Sequence, residues 1–333
     1  MKALHIMYVC GVRGTGGAAA AATRLHLDML RKGVDSRVAC VWGNGAVGNV
    51  KVLRTWWWWL GVRILHALTR RWTHGLDLPG FDRMVAEFSP DEIHVHWIRR
   101  DTISWRQLGR MRNSEWGMEN EGGHVPGLFV HLHDLWPLEQ RQITSLKPTF
   151  VAYSDFVAHE VRRRGYRVER HELILDPVFA SRTYRRPRAD GKVILFGCND
   201  GRANPDKGFS DLAAALALLP DEFKAKMELR IFGEGSSGAP EETAGVRTVL
   251  LGRIDNPEKL KKEYCEASCF AFPSTNETMG MTKLEALACG CPVVAFNRTA
   301  CAEGIEHLKT GYVARDGDLA DFAEGLKWAC NSI

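Results

Sequence analysis

The sequence predicts an α/β protein with two domains, each a parallel sheet with helices on its faces. Its 333 residues are ample for two hydrophobic cores. Short apolar runs alternate with helical patterns and glycine-containing turns, as expected for parallel strands joined by helices. A charged stretch at 184–191 contains Pro187, so we expect a linker there, between domains at 1–183 and 192–333.

The most informative stretch is 269–296, CFAFPSTNETMGMTKLEALACGCPVVAF. It predicts a strand, a loop with Glu277, a helix with Glu285 that ends at Gly290, and a second buried strand. Ligands of open α/β sheets bind at the carboxyl ends of the strands, and the start of a helix suits phosphate. The two carboxylates can accept hydrogen bonds from hydroxyls on either side of that phosphate. A nucleotide sugar has this order of groups.

The spacing from Glu277 to Glu285, followed by EALACGCPVVAF, resembles the donor-site signature of retaining glycosyltransferases of family 4. Those enzymes have the GT-B fold. The resemblance implies two Rossmann-like domains that face each other across a cleft, and a nucleotide diphosphate sugar, UDP- or GDP-linked, as donor. It covers nearly the whole chain and is strongest from 193 to 313.

A second donor motif is GRANPDKG at 201–208, which resembles the family's GRxxPxKG loop. In the family, its arginine and lysine bind the donor diphosphate, which implies that role for Arg202 and Lys207. Fixed cations there would stabilise the charge that develops on the departing diphosphate. The loop after Gly197 is longer than usual and permits another alignment for Arg202. The resemblance also implies donor-side contacts from Gly16, Gly17, Gly233, Arg253, Met279, Gly280, Met281 and Thr282.

The glycine-rich turn after the first predicted strand, 3–9, permits two interpretations. Gly16-Gly17-Ala18 resembles the glycosyltransferase GGA turn, which lies against the donor phosphates and the acceptor cleft. The glycines at 11, 14 and 17 also match the GxxGxxG of extended short-chain dehydrogenases. Those enzymes need a Tyr-x-x-x-Lys pair, and none of the six tyrosines has lysine four residues later.

Two histidine-containing motifs resemble those of a bacterial polysaccharide-assembly branch of the family. PDEIHVHW at 90–97 resembles PDxxHxHW, and HDLWP at 133–137 resembles the HDxWP turn between the domains. In relatives, the histidine that matches His133 lies beside the donor sugar. The resemblance implies acceptor-side contacts from Trp97, His131, Asp134 and Trp136. The chain lacks the glycine- and cysteine-rich insert that often follows WP, so its acceptor loop departs from the pattern.

The resemblance implies His133, Glu277 and Lys207 as catalytic residues, with Glu277 on sugar hydroxyls and Glu285 on the ribose. It implies a front-face displacement in which the leaving phosphate takes the acceptor proton. We expect no metal and no cofactor, because we recognise no metal-binding Asp-x-Asp motif and the cysteine spacings do not suit zinc. Two alternatives remain: a nucleotide-sugar epimerase or phosphorylase on the same fold, and a non-catalytic sugar-nucleotide-binding scaffold. Relatives carry a Gly-Gly pair before a glutamate, where this chain has RTACA at 298–302 before Glu303. We therefore expect its sugar-side contacts to differ from those of the family.

The segment RTWWWWLGVRILHALTRRW at 54–72 predicts a helix with two apolar-aromatic faces. Trp56, Trp59 and Arg63 share one face, and Trp57 shares the other with three aliphatic residues. Such a helix suits a membrane interface, or it packs on the sheet with loops over its second face.

We expect a cytoplasmic protein, peripheral to the inner face of a membrane, because no signal peptide or bilayer-spanning run is recognisable. Its acceptor would be a glycan or a polyprenyl-linked glycan. The net charge of +4 gives no indication of nucleic acid binding. Arginines clustered at 162–170 and 182–188 indicate either a solvated basic surface or a second contact with anionic lipid.

Overall fold

The computed structural model describes residues 1–11, 16–43, 47–69, 77–96, 103–112, 125–180, 192–197, 201–233, 238 and 240–331. Two units are distinguished by their internal contacts, Met1–Ile174 and Leu175–Ile333. The predicted linker lies outside the described residues. Each unit is a parallel sheet with helices on its faces, so the predicted α/β class is confirmed.

The sheet of the amino-terminal unit has seven strands, all parallel, in the order β3-β2-β1-β4-β5-β6-β7. These strands are β1 (Lys2–Cys10), β2 (Asp35–Gly43), β3 (Val50–Val52), β4 (Glu92–Val95), β5 (Gly127–His131), β6 (Thr149–Ala152) and β7 (Val168–Arg170). The order reverses between β1 and β4. Loops at the carboxyl ends of these two strands diverge, which leaves room for a ligand at this point of the sheet.

Helices cover both faces of this sheet. They are α1 (Gly17–Arg31), α2 (Trp56–Thr69), α3 (Phe81–Phe88), α4 (Trp105–Arg112), α5 (Arg141–Thr144) and α6 (Asp155–Arg163), with a 3-10 turn at Trp136–Glu139. Helix α6 begins with a side-chain cap, because the Ser154 hydroxyl accepts a hydrogen bond from the Val157 N–H.

The sheet of the carboxyl-terminal unit also has seven strands, in the order β10-β11-β9-β8-β12-β13-β14. They are β8 (Lys192–Gly197), β9 (Met227–Phe232), β10 (Glu241–Thr243), β11 (Val246–Gly252), β12 (Cys269–Phe272), β13 (Val293–Phe296) and β14 (Gly311–Ala314). Only the edge strand β10 is antiparallel. The strand order reverses between β8 and β12.

The helices of this unit are α7 (Pro177–Ala180), α8 (Phe209–Ala217), α9 (Asp221–Lys224), α10 (Pro257–Glu266), α11 (Met281–Ala288) and α12 (Leu319–Asn331). Two 3-10 turns, Gly201–Ala203 and Pro205–Lys207, precede α8. The predicted βαβ unit is confirmed as β12, α11 and β13, because the two strands pair in parallel. Among the described helices, none has both the length and the apolar character that a membrane crossing requires.

Candidate functional site

In the carboxyl-terminal unit, the loop before α8 and the loop between β12 and α11 are joined directly to each other. The Thr275 N–H donates to the carbonyl of Asp206 at 2.9 Å. Gly208 has φ +69°, and a Cβ at this position would lie 2.1 Å from the carbonyl oxygen of Pro273. Only glycine combines this backbone conformation with so close an approach. The contact therefore fixes the position of Lys207 relative to Glu277.

A Gly208→Ala substitution is expected to disrupt this contact and to lower the free energy of unfolding by more than about 2 kcal/mol. Gly290→Ala is the matched control, since Gly290 has φ +71° but nothing lies within 4 Å of an added Cβ. That control carries only the cost of left-handed backbone, on the order of 1 kcal/mol. Urea unfolding of both variants measures the difference, and equal losses would contradict the steric account.

Lys207 and Glu277 meet at the point where the strand order reverses. The Lys207 Nζ lies 2.5 Å from Glu277 Oε1, and the Glu277 side chain is almost fully buried. The Glu277 N–H donates to the Thr299 hydroxyl at 3.3 Å, which holds the backbone of the loop. An ammonium has three N–H donors, so the bond to Glu277 uses one of them. The structure thus brings together the predicted diphosphate-binding cation and the predicted sugar-binding carboxylate.

The predicted contacts from 279 to 282 lie at the amino terminus of α11. Gly280 precedes the helix with φ +80°, and a Cβ there would lie 2.6 Å from the Phe272 ring. Met279 is buried, whereas Met281 and Thr282 are half-buried in the first turn. The first N–H groups of a helix have no partner within the helix, so this end favours an anion.

Glu285 lies one turn further along α11. Its Oε2 accepts a hydrogen bond from the Tyr264 hydroxyl at 3.4 Å, and both side chains are buried. Burial raises the pKa of Tyr264 well above its ordinary value, and the Glu285 charge adds to the increase, so the phenol remains a donor. The contact of Glu285 with a ribose remains a prediction.

The other predicted donor-side residues lie at the ends of neighbouring strands. The Arg202 guanidinium pairs with Glu241 and lies over the Phe209 ring at 5.6 Å. Arg253 pairs with Asp255 at 2.9 Å and is half exposed. Gly233 has φ +91°, and its N–H donates to the Gly252 carbonyl at 2.9 Å. Their contacts with a donor also remain predictions.

Sequence analysis missed a buried lysine in helix α11. Lys283 is only 1% exposed, and its Nζ donates to the carbonyl of Ala300 at 2.6 Å. Burial lowers its pKa to about 8, while the charges of Cys301, Glu303 and Glu277 oppose that effect. The lysine anchors the segment that stands where relatives have two glycines. The available signal was a lysine among the small and apolar residues of the predicted helix.

The amino-terminal unit has a cavity of about 240 Å³ where its own strand order reverses. The cavity is lined by the end of β1, the first residues of α1, and one histidine after β4. These residues are Met7, Tyr8, Val9, Gly16, Gly17, Ala18, Ala19, Ala22 and His96. Gly16 caps α1 with φ +85°, so the predicted glycine turn borders this cavity. Trp97 lies outside the described residues.

His133 follows β5 and contacts the rings of His96 and Tyr153. Its Nε2 lies 3.5 Å from His96 Nδ1, and burial lowers its pKa to about 4. The predicted acceptor-side residue His131 is buried, and both of its ring nitrogens bond to protein groups. Asp134 Oδ1 accepts a hydrogen bond from the Trp136 N–H at 3.0 Å, so this aspartate shapes the turn. Acceptor contacts from these residues remain predictions.

The carboxyl-terminal unit matches a known protein family. Residues 192–332 match the family model described as glycosyl transferases group 1. A D-inositol 3-phosphate glycosyltransferase from Corynebacterium jeikeium is 34% identical over 146 residues, which are 40% of this chain and 34% of the relative. The sulfoquinovosyl transferase SQD2 of Arabidopsis thaliana is 29% identical over 136 residues, 38% of this chain and 25% of the relative. The matched regions thus span a quarter to a third of these relatives.

Solved structures extend the likeness to both units. The lipopolysaccharide outer core galactosyltransferase WaaB, in its apo form, is similar with a TM-score of 0.67 and 16% identity, over 100% of this chain and 91% of that chain. Anabaena HepE in complex with UDP-glucose is similar with a TM-score of 0.64 and 18% identity, over 100% of this chain and 90% of that chain. The protein therefore has the GT-B fold that the sequence predicted, with two Rossmann-like domains. The part of it that matches the group 1 glycosyl transferases is the unit that holds Lys207 and Glu277.

Proposed function

We propose that this protein is a retaining glycosyltransferase. It takes a hexose-type sugar from a nucleotide diphosphate donor, UDP- or GDP-linked, and transfers it to a glycan or polyprenyl-linked glycan. The observation that carries the proposal is the pairing of Lys207 with Glu277 at 2.5 Å. It lies at the strand-order reversal of the unit that matches the group 1 glycosyl transferases.

The chemistry of this pair suits a nucleotide sugar. The Lys207 ammonium can donate to a diphosphate oxygen and so offset the charge that grows as the glycosidic bond breaks. The Glu277 carboxylate only accepts hydrogen bonds, so it can select hydroxyl groups on the sugar. The UDP-glucose complex of the similarly folded HepE supports a uridine donor.

The remaining groups would act around this pair. Glu285 would accept from a ribose hydroxyl, and the start of α11 would face the diphosphate. His133 would lie beside the transferred sugar, with the leaving phosphate as acceptor of the proton. In this proposal Lys207 supplies the charge that a metal ion would otherwise provide.

A thermal-shift screen of UDP- and GDP-sugars tests the proposal. A donor that binds only the folded protein is expected to stabilise it by about 2.7 kcal/mol at one hundred times its Kd, a rise in melting temperature of about 4–8 °C. The free nucleosides are the control, since they lack the diphosphate that Lys207 would bind. If no nucleotide sugar raises the melting temperature, the proposed function is wrong.

We further propose that α2 holds the protein at an anionic membrane surface. Val62 is buried and Trp58 packs on the core, while Trp56, Trp57 and Leu68 are 60%, 75% and 78% exposed. The exposed aromatic pair is thus Trp56 and Trp57, whereas the predicted partner Trp59 is half-buried. Indole and aliphatic groups on one side of a helix suit the boundary between headgroups and acyl chains. That location would place the protein on the cytoplasmic face, near a lipid-linked acceptor.

A double variant, Trp57→Ser with Leu68→Ser, is expected to reduce co-sedimentation with phosphatidylglycerol vesicles at least about tenfold. The reason is that burying each of these apolar side chains in the membrane contributes about 2 kcal/mol to the binding free energy. Leu218→Ser is the matched control, since Leu218 is an exposed leucine of the other unit. Equal co-sedimentation of the double variant and the wild type would exclude this role for α2.

A further inference from the structure

Five histidines of the amino-terminal unit, four of them buried, form two hydrogen-bonded rows on one face of the sheet. The first row is His5, His96 and His133. His5 Nδ1 lies 3.0 Å from His96 Nε2, and His96 Nδ1 lies 3.5 Å from His133 Nε2. His96, the middle residue of this row, also lines the cavity that Gly16 and Gly17 border.

The second row is Glu92, His94, His131 and Tyr153. Glu92 Oε2 lies 3.2 Å from His94 Nε2, and His94 Nδ1 lies 3.0 Å from His131 Nε2. The Tyr153 hydroxyl lies 2.6 Å from His131 Nδ1. This row joins the start of β4 to the end of β6 through the interior of the unit.

The two rows stack ring on ring. His5 stacks on His94 with a centroid separation of 4.9 Å, His96 on His131 at 4.0 Å, and His133 on Tyr153 at 5.6 Å. Burial lowers the pKa of His5, His96 and His131 well below 6.5, so these imidazoles are neutral at pH 8. A neutral imidazole has one N–H and one acceptor nitrogen. The hydrogen bonds of each row therefore all point the same way, from donor to acceptor, and this is the direction of the row.

The direction of the second row follows from its carboxylate. Glu92 only accepts hydrogen bonds, so His94 carries its proton on Nε2 and, when neutral, accepts through Nδ1. His131 then donates through Nε2 and accepts the Tyr153 hydroxyl proton at Nδ1. Every donor in this row has an acceptor, and the donors point from Tyr153 to Glu92.

The direction of the first row follows from its buried end. His5 Nε2 is buried and has no hydrogen-bond partner among the described residues. A buried N–H without an acceptor costs more than an unfilled lone pair, so the His5 proton belongs on Nδ1. His5 then donates to His96, and His96 donates through Nδ1 to His133. The two stacked rows therefore run in opposite directions, which places opposed dipoles side by side.

We propose that His5 and His96 are positioning residues that hold His133 as the neutral tautomer protonated at Nδ1. His133 then meets a substrate as a hydrogen-bond donor to an oxygen atom, and its Nδ1 cannot serve as a base. This inference rests on the proposed function only for the identity of that oxygen, which would belong to the transferred sugar or its phosphate. A His133 that donates a hydrogen bond, and does not act as a base, is compatible with the proposed transfer of the acceptor's proton to the leaving phosphate.

NMR measures each histidine tautomer directly. The experiment is a two-bond proton–nitrogen correlation at pH 8 on the full chain labelled with ¹⁵N-histidine. We assign the His133 signals by their loss in His133→Phe. The expected spectrum shows a protonated-type Nδ1 and an unprotonated-type Nε2 for His133. A protonated Nε2 would overturn the inference, whatever the transferase assay shows. A protonated Nδ1 in a protein without transferase activity would overturn only the proposed function.

His96→Phe keeps a ring in the stack but removes the donor to His133. We expect the His133 tautomer to shift toward Nε2–H, which an unconstrained imidazole favours, and kcat/KM to fall by up to about tenfold. Tyr153→Phe is the control, since it removes a buried hydrogen bond of the second row and should leave the His133 tautomer unchanged. An unchanged tautomer in His96→Phe would refute positioning by His96. The wild-type spectrum decides the tautomer even if this variant does not fold.

Discussion

A Lys207→Ala protein is expected to transfer sugar at least about a hundredfold more slowly than the wild type. Removing one preorganised donor from a developing oxyanion typically costs about 10²–10³ in kcat. The loss should appear in kcat more than in KM, because the ammonium interacts most strongly with the charge that develops in the transition state. Steady-state kinetics with the donor found in the thermal-shift screen measure both constants.

Lys309→Ala is the matched control for this prediction. Lys309 also forms an ion pair, with Glu306 at 3.1 Å, but both side chains are exposed. An exposed pair contributes little to stability, so the control should keep the activity and melting temperature of the wild type. If Lys207→Ala retains more than about a tenth of the wild-type kcat, the assigned role of Lys207 in stabilising charge is wrong.

Acidification is expected to unfold the amino-terminal unit between about pH 6 and pH 5. Folding lowers the pKa of four histidines, His5, His96, His131 and His133, below 6.5. Below pH 6.5 the unfolded chain therefore binds protons that the folded chain does not bind, and stability falls with pH. Each histidine contributes about 1.4 kcal/mol per pH unit, so the four together approach about 5 kcal/mol per unit. Domains are stable by only about 5–15 kcal/mol.

The groups that face these histidines do not compensate for this loss. His26 contacts His5 edge-on, and burial lowers its pKa too. The hydrogen bond from His94 lowers the pKa of the Glu92 carboxyl, so protonating this group at still lower pH weakens the fold further.

Urea titrations from pH 6.5 to 5.5 measure the slope of stability against pH. Tryptophan fluorescence reports on this unit, because ten of the eleven tryptophans precede residue 175. With His26 included, five histidines contribute, so His5→Phe should lower the slope by about a fifth, whereas His159→Gln, at an exposed side chain, should leave it unchanged. A slope near zero in the wild type would contradict the account of neutral, buried histidines.

Local sequence patterns predicted most of the scaffold and part of the site. The stretch at 269–296 forms the predicted strand, helix and strand, because its apolar runs and glycine turns all favour one structure. The loop position of Glu277 followed from that pattern. Its contact with Lys207 depends on the strand order of the sheet, and only the family resemblance indicated that they serve one ligand.

The histidine rows depend on strand register. His94 and His96, like His131 and His133, are two residues apart, so each pair shares one face of the sheet. That periodicity was visible in the sequence. His5 joins them because β1 pairs with β4 and sets His5 opposite His94, and strand pairing over 89 residues is not readable from local pattern.

Burial explains the remaining misses. Lys283 resembled a surface lysine of a helix, yet the packing of α11 against the segment after β13 encloses it. Likewise, helical periodicity gave two apolar faces for α2 but not which one packs on the core. The structure turns Trp58 and Val62 inward and leaves Trp57 exposed.

The recognition of a diphosphate by Lys207 is tested most directly by isothermal titration with UDP and with uridine, or with GDP and guanosine. The wild type should bind the diphosphate at least about tenfold more tightly than the nucleoside, since charge-assisted hydrogen bonds contribute about 1.5–3 kcal/mol. Lys207→Ala should lose most of that ratio while its affinity for the nucleoside stays the same. An equal ratio in the two proteins would contradict the account.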